Sequence, residues 1–265
     1  MSSSFPFLGL LSFVRLWQGE TMDWAKRLLI IWSLWFLPWS ALAKDSSWRL
    51  LEDGRIEKSD GSIIRLSSIQ LVEQKQLRKQ AFALIRDLLS EDWHVEDPVE
   101  RDRYGDQVAV VQLSDNRSLQ TLLLKKGLAR VYPQLGEGPD VSEFLAAEAL
   151  ARDAKTGLWK LKPYQPVGAE EAVPRRFDLR NYYQLVEGKV LDVAKVRGNI
   201  YLNFGEDWRQ DFTIMIPKGF AKSVEAQGLD YKDLEGKTLR VRGWLRLYGG
   251  PLIDVTDARQ IEIFD

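Results

Sequence analysis

The chain has 265 residues, 45% of them hydrophobic and 28% charged, with a formal net charge of −1. Such a mixture belongs to a folded protein and excludes both a disordered chain and a polycationic nucleic-acid coat. With no cysteine and a single histidine, His94, it also excludes disulfides, thiolate zinc sites, iron–sulfur clusters, a cysteine nucleophile, a lipoprotein anchor, a serine–histidine triad and poly-histidine metal sites.

The chain opens on a targeting pattern. From Met22 it carries the basic pair Lys26-Arg27, an apolar run from Leu28 to Leu37, Pro38, and then Ala41-Leu42-Ala43. Basic start, short apolar centre and small-residue end are what an export signal and its peptidase require. The apolar run is half the roughly 20 residues of a membrane-spanning helix. Residues 1–43 are therefore expected to be a signal-peptide region with its true start at Met22, cleaved after Ala43. The alternative is an uncleaved anchor, which would be the chain's only contact with a membrane. Either way the chain is expected to be exported, periplasmic or secreted. From Lys44 onward 34 basic residues face 36 acidic ones.

Two blocks follow. Trp48 to Glu57 reads as a strand, and Asp60-Gly61 as a hairpin turn into a second strand, Ser62 to Ile69. Leu77, Ala81, Leu84, Ile85 and Leu88 line one face at helical spacing. Strands are predicted at Trp93–Glu96 and Gln107–Leu113, about a turn at Tyr104-Gly105, with His94 a surface strand residue. A short helix from Leu119 to Lys126 stops at Gly127. Asp140 and Glu143 predict a capping box opening a helix through Ala154. Residues 162–180, with Pro163, Pro166 and Pro174 and no apolar period, read as a linker. From 181 to 265 five strand runs (Leu185–Val193, Asn199–Gly205, Asp211–Ile216, Thr238–Leu247 and Leu252–Val255) surround one helix, Lys218–Gln227. That is the layout of an OB-type barrel.

Three segments of the first block carry a resemblance: Asp102-Arg103-Tyr104-Gly105, then Lys126 through Tyr132 (KGLARVY), then Ala146 through Trp159 (AAEALARDAKTGLW). In this order and spacing they resemble the thermonuclease, or staphylococcal nuclease-like, family over about Trp48 to Lys160. The resemblance implies an α+β, mainly β fold. Residues 44–161 would form a five-stranded OB barrel with three helices, followed by a second, smaller OB-like barrel at 181–265. It also implies a calcium-dependent phosphodiesterase ancestor acting on DNA and RNA.

Of the polar residues that the family uses, the resemblance leaves two. Arg65 matches the phosphate-binding arginine and Glu73 the general base. The calcium-binding aspartates fall on Gly54 and Gln70, a flanking threonine or alanine on Leu71, the loop proline on Val72, and the arginine after Tyr-Gly on Asp106. Calcium takes about 6–8 oxygen ligands with carboxylates supplying the neutralising charge. Glycine supplies none and glutamine a neutral carbonyl, so no metal and no other cofactor is expected, calcium entering only if the chain is an active nuclease. A carboxylate at 106 would also repel a phosphate at ~4 Å by on the order of 4 kcal/mol at an effective dielectric of about 20. Arg65 is left to pair with Glu73 across the loop or to meet phosphate.

In the second block, strand alternation puts Arg240, Arg242, Trp244, Arg246 and Tyr248 on one face, opposite Leu239, Val241, Leu245 and Leu247. Arginines interleaved with aromatics suit stacked bases and phosphates of single-stranded DNA or RNA; an ordinary solvated face has the same pattern. The reading is thus an exported thermonuclease-like protein with a degenerate calcium site, acting as a nucleic-acid-binding or envelope interaction module. An active calcium-dependent endonuclease and a protein-binding scaffold with no nucleic-acid contact, its partners envelope proteins, are the alternatives.

Overall fold

Asp60 and Gly61 shape a hairpin of the first block as the sequence requires. The Asp60 carboxylate accepts the Ser62 N–H at 2.8 Å, and Gly61, at φ +80°, takes the left-handed conformation that costs a glycine nothing. The turn joins β2 (Ile56–Lys58) to β3 (Ile63–Leu66), with β1 (Trp48–Leu50) on the far side of β2. The computed structural model describes residues 48–96, 100–133 and 140–264; the expected signal region and its cleavage site lie outside them. Among the described residues no helix is long and apolar enough to cross a membrane.

The chain then enters β4 (Ile69–Leu71) and α1 (Lys75–Leu88), whose Ala81 and Ile85 are buried. Next come β5 (Trp93–Val95), β6 (Glu100–Arg101), β7 (Gln107–Ala109) and β8 (Val111–Leu113). β7 runs parallel to β3, β8 pairs with β5, and His94 is an exposed residue of β5. Helix α2 (Leu119–Lys125) is capped by Ser118 and followed by Gly127 at φ +60°. A side chain at Gly127 would strike the Thr156 carbonyl, so two constraints select glycine there. β9 (Ala129–Val131) pairs with β4, and α3 (Ser142–Asp153) packs beside α2. The strands of this block form a five-stranded sheet, β1-β2-β3-β7-β6, and two two-stranded sheets, β4-β9 and β5-β8. The three expected helices are all present, in an α+β arrangement. The capping box is not: Asp140 turns back on the Ser142 N–H, and Glu143 accepts the Thr121 hydroxyl instead.

The stretch read as a linker is structured. Val167–Gly168 forms β10, parallel to the strand that opens the second barrel. Ala169–Ala172 and Arg176–Leu179 form single-turn helices, α4 and α5, which bury Ala169, Ala172 and Leu179. Strands this short leave no period for the sequence to show.

The second barrel comprises β11 (Tyr183–Lys189), β12 (Asp192–Val196), β13 (Asn199–Asn203), β14 (Thr213–Ile216), α6 (Lys218–Ala226), β15 (Thr238–Tyr248), β16 (Gly250–Asp254) and β17 (Ile261–Phe264). β11 leads into β12, and the pairings β12–β13–β14–β16–β15 return to β11, with β14 and β16 parallel. Counting β11 and β12 as one bent strand, this is the OB order, with the helix before the fourth strand. Ile200, Leu202, Ile214, Leu239, Val241, Leu245 and Ile253 fill it. β17 adds to the edge of β15. A third apolar cluster, Val72, Ala151, Leu158, Trp159 and Leu185, spans both blocks, so Ser47–Asp265 is one compact unit.

Candidate functional site

The turn before β2, strand β3 and the β4 loop converge on a cleft of about 540 Å³, lined among others by Asp53, Gly54, Arg65, Gln70, Leu71 and Glu73. The structure thus brings Arg65 and Glu73 to one cleft with the two positions expected to have lost carboxylates. Glu73 is exposed, just ahead of α1.

Arg65 does not pair with Glu73. Its Nη2 lies 2.9 Å from Asp102 Oδ2. Burial alone would raise the Asp102 carboxyl; the Tyr104 and Asp106 N–H groups and the charges of Arg65 and Arg55 hold it below the ordinary range. Asp106 also differs from expectation. It is 4% exposed, and Arg55 Nη1 meets its Oδ2 at 2.7 Å, while Arg55 Nε holds Asp53 at 2.7 Å. The bond to Asp106, then that to Asp53, raises the Arg55 pKa. The carboxylate at 106 is therefore neutralised by an arginine from the turn before β2 and does not face the cleft as a free charge. The repulsion expected of it falls away.

The residues present do not fit a calcium ion. Gly54 sits at φ +93°, and a Cβ built there would lie 2.5 Å from Leu71 Cδ1. A side chain at 54 would be strained by that positive φ and would have to displace the Leu71 methyl. Gln70 Oε1 accepts the Arg130 Nε–H at 2.9 Å, and Arg130 Nη1 in turn donates to the Tyr183 carbonyl at 2.7 Å. Gln70 is engaged in tying the β4 loop to the second barrel. Among the described residues no group of three or more histidine, aspartate or glutamate side chains is placed to hold a metal.

The β15 stripe lies on one face, as alternation demands, but it is not a row of free cations. Arg242 is 0% exposed; its Nη1 reaches Glu148 Oε2 of α3 at 2.8 Å, and its Nη2 bonds Glu262 Oε1. Arg240 is held by Glu187 at 2.6 Å and Glu262 at 3.1 Å. Arg246 forms a bidentate pair with Asp254 at 2.5 and 2.9 Å. Trp244 and Tyr248 remain about half or more exposed, at 48% and 65%, and Trp244 donates its indole N–H to the Tyr132 hydroxyl at 3.2 Å. The first barrel covers the middle of the stripe, a contact that alternation within one strand does not reveal.

Sequence reasoning missed the partners of this network. One signal was readable. Phe144, Ala147 and Ala151 mark the buried face of α3, and Glu148 occupies the same face. A carboxylate there needs a buried partner, which Arg242 and the Val131 N–H at 2.7 Å supply. Burial would lower the Arg242 pKa, but Glu148, Tyr183 and Glu262 together raise it, so the guanidinium stays charged.

The fold, the cleft and the three motif segments agree with one comparison. Residues 63–161 match the family model described as staphylococcal nuclease homologue, and the chain therefore carries a staphylococcal nuclease domain over that span.

Proposed function

We propose that this is an exported protein whose staphylococcal nuclease domain has lost phosphodiester hydrolysis and, locked to the second barrel, works as an interaction module of the cell envelope. The observation that carries this reading is a cleft with no carboxylate at Gly54, held at φ +93°, or at Gln70, which is bonded to Arg130. Three arginines, Arg55, Arg65 and Arg78, still line the cleft beside Asp53 and Glu73, but without a metal they must stabilise the attacked phosphate unaided. Loss of even one preorganised charge-stabilising group costs about 10²–10³ in rate.

The paired state of Arg240, Arg242 and Arg246 supports an interaction module over a nucleic-acid binder, since each guanidinium already has a carboxylate. The basic pair, apolar run and Ala41-Leu42-Ala43 support export. The test incubates the purified protein with fluorescent single-stranded DNA, with and without calcium. The reading expects neither cleavage nor calcium-dependent change. Calcium-dependent cleavage abolished by Glu73→Gln would overturn it. N-terminal sequencing of extracytoplasmic protein should begin at Lys44; a membrane-bound chain retaining Trp32 would point to the anchor.

A further inference from the structure

We infer that the outer face of the second barrel is a binding groove for an uncharged saccharide chain. The inference stands apart from the reading of the first domain: cleavage of DNA there would overturn that reading and leave this one intact.

A groove of about 700 Å³ crosses β12, β13, β14 and β16. It is larger than the cleft of the first barrel and falls within the range of small-ligand sites. Its floor is a row of polar side chains in register across the sheet. Asp192 stands opposite Asn203, Asn203 opposite Thr213, and Thr213 opposite Leu252. The row is already hydrogen-bonded: Asn203 Nδ2 donates to Asp192 at 3.1 Å, and the Thr213 hydroxyl to Asn203 Oδ1 at 3.4 Å. Asn199 and Tyr201 extend it. Carboxylate, amide and hydroxyl groups in one row offer alternating acceptors and donors, which is the pattern a chain of ring hydroxyls satisfies.

Two exposed aromatics border this floor, Trp208 at 57% and Tyr248 at 65% exposure. Each ring has a guanidinium over it, Arg209 over Trp208 at 4.5 Å and Arg246 over Tyr248 at 5.7 Å, and the Trp208 loop is itself hydrogen-bonded. The Asp207 carboxylate accepts the Arg209 N–H and the Gln210 side-chain amide, at 3.1 and 2.7 Å, and Asp211 accepts the Asp207 N–H at 2.8 Å. The turn after Tyr248 presses on that loop, because any side chain at Gly249 would strike the Arg209 carbonyl. A preordered aromatic surface loses little entropy when a ring stacks on it, and the apolar face of a pyranose is such a ring.

Charge decides between the two polymers that OB grooves of this kind accommodate, oligonucleotides and oligosaccharides. The groove carries Asp192 and Asp211 against Arg197 and the Arg209 that lies over Trp208. A phosphodiester chain needs an excess of cations to replace its released counterions, and a groove whose charges balance supplies none. An uncharged polyhydroxyl chain meets no such penalty.

The experiment titrates the purified protein with chitohexaose, cellohexaose and maltohexaose, following tryptophan fluorescence and calorimetry, with a dT12 oligonucleotide as the competing ligand class. The expected result is saturable one-to-one binding of at least one hexasaccharide, insensitive to salt, and weakened about tenfold or more by Trp208→Ala and by Tyr248→Ala. Both side chains are exposed, so the two variants should melt as the parent does, and Trp244→Ala should leave the affinity unchanged. Absence of binding by all three sugars up to about 10 mM would overturn the inference. So would affinity indifferent to Trp208→Ala and Tyr248→Ala, or dT12 binding lost in Trp208→Ala.

Discussion

Arg242→Met should destabilise the protein more than any change in its cleft. The guanidinium is 0% exposed and bridges Glu148, also 0% exposed, to Glu262, whose side chain is 17% exposed. Methionine fills similar volume but leaves Glu148 with the more distant Arg152, at 3.4 Å, as its only cation, and Glu262 with only Arg240, at 3.1 Å. Removing one partner of a buried pair costs about 3–5 kcal/mol, because the remaining charge stays desolvated. For a unit the size of Ser47–Asp265, each kcal/mol shifts Tm by about 2–4 °C, so the expected fall is on the order of 6–20 °C. Arg242→Lys should recover little, since one ammonium cannot reproduce a fork that reaches two carboxylates on different elements. Adding Glu148→Gln to Arg242→Met should cost less than the sum of the two single changes, with a coupling of about 0.5–3 kcal/mol. Scanning calorimetry reads both quantities. A parent-like Tm for Arg242→Met, or strict additivity with Glu148→Gln, would refute the claim that this pair is a buried, mutually dependent joint between the barrels.

Acid should loosen the same joint. Burial would raise the Glu262 carboxyl, but Arg242 and Arg240 hold it below its ordinary 4.5. Its contribution is then complete above that value and is lost as pH falls through the lowered folded-state value. Glu262→Gln should flatten the acid side of a Tm-against-pH curve measured between about pH 3 and pH 7. Gly54→Asp alone should destabilise by about 1–3 kcal/mol, from a side chain forced to positive φ against Leu71, and calcium titration should show no gain in binding. Calcium binding by that single variant would refute the packing argument.

How far the sequence reached depends on what each pattern reports. Asp60-Gly61 and the Leu77–Leu88 face were legible because turn chemistry and helical period are local properties. The OB order of the second barrel followed from strand spacing and the position of Lys218–Gln227. Residues 167–179 were illegible because β10 has two residues and its neighbouring helices four each, too few for any period. The face of β15 was correctly assigned, yet alternation says which side a residue occupies and nothing of what covers that side. Arg242 thus read as a surface cation and is a buried one. Asp106 failed in the same way: its partner Arg55 lies 51 residues away in sequence.

Placing carboxylates at 54 and 70 should not by itself create a calcium site here, and one reason lies in the tie between the barrels. Gln70 accepts from Arg130, and Arg130 also lies over the Tyr183 ring at 4.5 Å while donating to its carbonyl. An aspartate at 70 would find that guanidinium before it found a metal, forming an ion pair that holds its charge. An arginine at 106 would face Arg55 in place of the carboxylate that Arg55 now neutralises at 2.7 Å. Gly54→Asp with Gln70→Asp and Asp106→Arg therefore sets two like charges together and leaves Leu71 in place. Calorimetry should find no calcium binding by this triple variant and a lower Tm than the parent. Adding Leu71→Thr, Arg55→Thr and Arg130→Leu removes all three obstacles, and only that combination should bind calcium. Binding by the triple variant alone would show that Leu71, Arg55 and Arg130 do not keep the metal out.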